Sequence, residues 1–175
     1  MPQGHPLLAE FQTVCRKHFA CYTMATMSMD SARKPYASAS PANRIFIGPS
    51  DPSSARATAT MSLLDLHEKM KPDGDFADVL AKALLVEIYS DWDEYFRPQF
   101  ATAVGADKNK VQCELLGDLR HIRNCIVHDR SVLAAKHTRL SRLRWNLAPG
   151  MLQITQGMFS TFVEQANDIE VVVVA

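Results

Sequence analysis

Residues 111–128 read VQCELLGDLRHIRNCIVH, and the period of this stretch decides the fold. At about 100° per residue, Val111, Leu115, Leu119, Ile122 and Ile126 fall in one stripe, which predicts a helix with a core-facing side. The opposite side carries Cys113, Gly117, Arg120, Asn124 and His128, with His121 at its margin and Arg123 on the flank. A solvated helix face normally mixes Glu and Lys. This one combines small residues with side chains that hold charge or move protons. Asn124 and His128 are four apart and therefore neighbours on the surface. Arg123 and His128 lie about 140° apart around an ideal helix. They converge only if the arginine bends over, the helix distorts, or a second copy supplies one of them. The last option predicts a homodimer with a shared cleft, Gly117 and the His128 end of the helix lying near the interface.

Working outward, the helix is expected to run from about Lys108 to Val132. Before it, Phe76, Val79, Leu80, Ala83, Leu84, Ile88, Trp92, Tyr95 and Phe96 recur at helical steps, with Asp75 as a cap and Pro98 as a stop or kink. A shorter helix through Met61, Leu64, Leu66 and Met70 ends at Pro72 and Gly74. A first helix is expected from about Pro6 to Met29. Residues 31–57 carry Pro35, Pro41, Pro49 and Pro52 among many Ser and Ala, which reads as a connector with Arg44-Ile45-Phe46-Ile47 as a short extended piece. That connector is either a boundary between a 1–57 arm and a 58–175 body or a long loop within one continuous domain. Towards the C-terminus come the segment 139–145, a Pro149-Gly150 turn and a β-leaning piece at 151–154. Thr155 then caps a last helix through Phe159 and Phe162, and the valine run 171–174 should pack on the body or pair with a partner. The expected class is all-α, with at most a short β piece near 151–154 and with Trp92, Leu115, Leu119, Ile122 and Phe159 buried.

The composition narrows the function. The 175 residues are 47% hydrophobic and 22% charged, and 19 basic side chains balance 19 acidic ones. Such a chain has no global field to draw nucleic acid, so any nucleic-acid site must be a local basic patch. The first residues lack the basic and apolar regions of a signal peptide, and the apolar runs are too short to span a bilayer. Cys15, Cys21, Cys113 and Cys125 match neither a C-x-x-C pair nor a zinc pattern, which reads as reduced thiols and a cytoplasmic location. No cofactor motif, glycine-rich phosphate loop or metal cluster is evident. Asp91, Asp93 and Glu94 beside Trp92 read as a solvated helix edge rather than as metal ligands.

The segment from Leu119 to Arg130 resembles the signature helix of the HEPN superfamily, whose motif is an arginine, a polar residue and a histidine a few positions on. Arg123 matches the motif arginine, Asn124 the polar residue and His128 the histidine. Arg130 and His137 also fit a loose spacing, but Ser131 follows that arginine. The resemblance covers about Thr60 to Glu170 in helix order and aromatic placement. It implies an up-and-down helical bundle, usually dimeric. It also implies metal-independent endoribonuclease activity of the toxin–antitoxin or phage-defence kind, with an antitoxin or defence protein as a further partner. Some members lack nuclease activity and serve as binding or assembly modules.

The residues themselves suit that chemistry. RNA cleavage without a metal requires that the 2′-OH lose a proton, that the phosphorane be stabilised and that the leaving oxygen gain a proton. Imidazole titrates near neutrality and suits His128 to proton transfer. Arg123 stays charged and holds phosphate oxygens in a forked geometry, and Asn124 orients either the imidazole or the phosphate. Arg120, His121 and Arg130 are candidate substrate contacts, and the need for a 2′-OH favours RNA over DNA. The alternative is a catalytically inactive helical module that binds a protein or nucleotide partner.

Overall fold

The first helix, α1 (Pro6–Arg33), starts where the missing N–H of a proline costs nothing and where His5 Nδ1 accepts the Leu7 N–H at 3.3 Å. The structure is a computed structural model that describes residues 5–48 and 59–174, so Pro49 and Pro52 of the connector lie outside the described residues. Leu8, Phe11, Cys15 and Tyr22 of α1 are buried in the same core as the rest of the chain. Phe11 packs against Trp92 and Phe96 at centroid distances of 5.5 and 5.2 Å, and Tyr22 against Phe159 at 5.3 Å.

The extended piece expected at 44–47 is strand β1 (Arg44–Ile47), paired antiparallel with β2 (Ala59–Ser62). Met61, expected in a helix, therefore belongs to a strand. The helix starts later because the Ser62 hydroxyl accepts the Asp65 N–H at 2.9 Å and caps α2 (Leu63–Lys69). At the next turn the N-cap is Gly74, not Asp75. A Cβ on Gly74 would sit 2.8 to 3.0 Å from the carbonyl oxygens of Lys69, Lys71 and Glu68, so the chain passes too tightly for any larger residue. Asp75 instead occupies the first turn of α3 (Asp75–Asp91), where its charge complements the helix dipole and pairs with Lys69.

The buried face of α3 is Ala77, Ala81, Leu85 and Ile88, rotated from the expected stripe, and Val79 is exposed. The two alanines allow α1 and α5 to approach on this side. Pro98 does not end the helical path. A single π-turn, Trp92–Phe96, leads into α4 (Arg97–Ala103), and the Arg97 N–H reaches back to Trp92 O just before the proline that has none to offer.

The expected helix over 108–132 is shorter. It is α5 (Glu114–His128), preceded by β3 (Val111–Gln112) and followed by β4 (Val132–Leu133). Val111 is buried through its strand, and Cys113 is the buried N-cap residue rather than part of the outer face. Strand β5 (Gly150–Met151) pairs with β4, and α6 (Gln156–Ala166) follows the expected cap, with Thr155 Oγ1 accepting the Met158 N–H at 3.2 Å. The valine run folds back as β6 (Val172–Val173) against β3, with Val171 buried. Among the described residues the chain is thus mainly helical with three short antiparallel strand pairs, where extended pieces were expected only at 44–47 and 151–154. Pairings of two to four residues are too short to leave a period in the sequence. Trp92, Leu115, Leu119, Ile122 and Phe159 are all buried. No helix among the described residues is long and apolar enough to cross a membrane.

The segment 139–145 forms no regular element, and polar ties hold it. Asp118, buried on α5, accepts the N–H groups of Ser141, Arg142 and Leu143 at 2.9, 2.6 and 2.8 Å. Trp145 Nε1 donates to Met158 O at 2.8 Å. On α3, Lys82 Nζ donates to Leu152 O at 2.6 Å, and Asp78 Oδ1 accepts the Ile154 N–H at 2.7 Å. These ties anchor the chain next to the strand pair that follows His128.

All four cysteines are free thiols. Burial pushes the Cys15 thiol from 9.0 up to about 12 and the Cys113 thiol up to about 11. Unfolded thiols ionise first, so above pH 9.0 the unfolded chain holds fewer protons than the folded one. The stabilisation is complete below that pH and is lost as pH rises towards the folded values. Each thiol contributes a slope of roughly 1.4 kcal/mol per pH unit. Urea unfolding from about pH 8 to about pH 10.5 should show this fall, and Cys15→Ala with Cys113→Ala should flatten it. An unchanged slope in the double variant would contradict the assignment.

Candidate functional site

The last two turns of α5 bring three of the expected residues together within one chain. Arg123 Nη1 lies 2.9 Å from His128 Nε2 and 3.2 Å from Asn124 Oδ1. The arginine has bent over, which is the first of the three routes to convergence, so no second copy is needed to unite the pair. Since guanidinium only donates, His128 Nε2 is the acceptor here and its ring proton sits on Nδ1. His128 is exposed at the helix end, whereas Arg123 and Asn124 are half-buried. The Arg123 Nε is buried and has no hydrogen-bond partner.

Arg123 and Asn124 line an open polar cleft of about 590 Å³, together with Tyr89, Asp93, Arg97 and Arg120. His128 is not among the lining residues, but it is bonded to one that is. Arg97 is fixed by its Nε on Val111 O at 3.0 Å and its Nη1 on Asp93 Oδ1 at 3.0 Å. Arg120 is exposed and makes no ion pair or hydrogen bond among the described residues. The Tyr89 phenol records how the charges converge. Burial raises its pKa and Asp93 adds to this, while Arg120, Arg97 and Arg123 pull it down. Three guanidiniums thus act on one cleft, which Lys108, Asp93 and Glu94 also line.

The other two expected contacts are placed elsewhere. His121 turns away from the cleft and stacks on His137, with centroids 5.3 Å apart and an interplanar angle of 25°. Arg130 lies past the helix end, exposed, and with Ser131 it adopts left-handed backbone angles, φ 52° and 63°. It lines none of the described cavities. Two consecutive non-glycine residues in that region mark local strain directly after the motif. The sequence reading missed Tyr89 and Arg97, which come from α3 and its continuation. Asp118 carried a signal, an acid inside the apolar stripe between Leu115 and Ile122.

Comparison of the chain with family models, with curated proteins and with solved structures finds no match.

Proposed function

We propose that the chain is a metal-independent endoribonuclease of the HEPN kind, an up-and-down helical bundle whose reaction is carried by Arg123, Asn124 and His128. The observation that supports this most is the 2.9 Å contact between Arg123 and His128 at the edge of a cleft lined by three arginines. A phosphodiester is a charged and stronger acceptor than a neutral imidazole nitrogen. Its arrival would draw the guanidinium from His128 Nε2 onto phosphate oxygen and leave Nε2 with a lone pair to take the 2′-OH proton. The 2′-oxygen then attacks phosphorus and the bond to the 5′-oxygen breaks, with a proton returned to the leaving oxygen. The products are a 2′,3′-cyclic phosphate and a 5′-hydroxyl. Arg123 offsets the charge that gathers on the phosphorane, and Asn124 holds the arginine in place.

The active form on this reading is a homodimer that meets near Gly117 and the His128 end of α5. Val127 in the last turn and the paired residues Val132 and Met151 are all exposed there, an apolar surface that a second copy would cover. Light scattering at micromolar concentration should give twice the chain mass, and a monomer would contradict it. The enzymatic reading is tested by incubating purified chain with mixed RNAs in EDTA. Cleavage should persist, and induced expression should arrest cell growth. Intact RNA and normal growth would favour a binding module without catalysis.

A further inference from the structure

Among the described residues β6 pairs only with β3, so its other edge is open. The alternation of an antiparallel ladder fixes which groups lie on that edge. The Val174 N–H donates to Lys110 O at 2.9 Å, and the next residue back, Val173, stands opposite Val111. The N–H and C=O of Val173 therefore point away from β3. The side chains beside them are bare as well, with Val172, Val173 and Val174 at 46%, 43% and 38% exposure. An edge of open backbone groups flanked by valine is a surface on which chains join. Its middle is uncharged, but its two ends carry opposite signs. Lys108 and Lys110 lie exposed towards the Val174 end, and Glu114 and Glu170 lie exposed towards the Val172 end.

We propose that a second copy of the chain occupies this edge, the two β6 strands running antiparallel about a two-fold axis at Val173. That register uses the groups the edge presents. Val173 of each copy exchanges two hydrogen bonds with Val173 of the other, through its outward N–H and C=O. Val172 of each copy then lies beside Val174 of the other, so exposed apolar side chains cover one another. The occupant is a second copy because the charges are self-complementary. Reversing the strand reverses its ends, and Glu114 and Glu170 of one copy approach Lys108 and Lys110 of the other. A parallel pairing would set like charges together. The contact is distinct from the surface of Val127, Val132 and Met151. Strand β6 pairs with the strand that precedes α5, whereas His128 ends that helix. Nor does it depend on the nuclease reading.

A ladder this short associates weakly, so the test is light scattering at on the order of 100 μM chain. It is run on Met151→Asp, which places a charge in the other apolar surface. That chain should still give twice the chain mass. Lys110→Glu or Glu170→Lys, each added to it, should weaken association roughly tenfold, because a two-fold contact repeats every ion pair. The two reversals together should restore it. Val173→Pro removes the outward N–H and should leave single chains that melt close to the parent, since that group makes no bond to β3. The Val173 amide should also exchange with deuterium more slowly as the concentration rises. A Met151→Asp chain that is single while the parent is double would overturn this contact and keep the dimer at the His128 end. A mass that ignores the charge reversals would overturn it too. A single chain whose Val173 amide is protected only by an added extended valine–threonine peptide would assign the edge to a strand of another protein and end the self-contact.

Discussion

His128→Ala should leave the chain folded and lower RNA cleavage by about 10²- to 10⁴-fold, the range for losing a positioned general base. The fold should survive because His128 is exposed at the end of α5 and opens no cavity when truncated. The structural loss is the contact that His128 Nε2 makes with Arg123. Arg123→Ala should cost about 10²- to 10³-fold, because it removes the charge that stabilises the phosphorane. Arg123→Lys should recover little, since an ammonium keeps the charge but lacks the planar fork that grips two phosphate oxygens at once. His137→Ala should leave cleavage near the parent level, because His137 stacks on His121 outside the cleft. Gel assays on a labelled RNA, with unfolding curves for each variant, check all four. Full activity in His128→Ala would remove the mechanism.

Asp118→Ala should be the most damaging single change to stability. Its carboxylate is 4% exposed and accepts N–H groups from Ser141, Arg142 and Leu143. Truncation strands those donors and loosens the segment that places Leu143 and Trp145 in the core. The loss should be about 3–5 kcal/mol, as for breaking one partner of a buried charged network. That is a large part of the ~5–15 kcal/mol that holds a domain together. Asp118→Asn should cost less, since its one carbonyl oxygen keeps an acceptor for the Oδ2 pair. Urea unfolding measures both, and an Asp118→Ala chain as stable as the parent would show that segment 139–145 is held by other means.

Long periodic segments were legible in the sequence because burial of one helix face leaves a 3.6-residue signature. Leu115, Leu119 and Ile122 on α5, and Phe159 and Phe162 on α6, are buried as that signature required. The rotation of α3 was not legible, because Ala77 and Ala81 face the core for their small size while the larger Val79 is exposed. Of the strands, Arg44–Ile47 was legible as an extended piece, but the pairing of Val111 with Val173 was not, because a two-residue ladder joins segments far apart in the chain. Arg123, Asn124 and His128 were legible as a cluster, but their contact depends on a bent side chain that helical geometry alone does not give. Tyr89 and Arg97 enter the cleft only through the packing of α3 on α5.

The central claim is that a 2′-hydroxyl, deprotonated by His128, is the nucleophile. The most direct test uses one labelled RNA in EDTA beside the same RNA carrying a single 2′-deoxy nucleotide at the mapped cut. The all-ribose strand should be cut to a 2′,3′-cyclic phosphate and a 5′-hydroxyl end, and the deoxy strand should stay intact at that position. Equal cutting of the two strands would contradict the account.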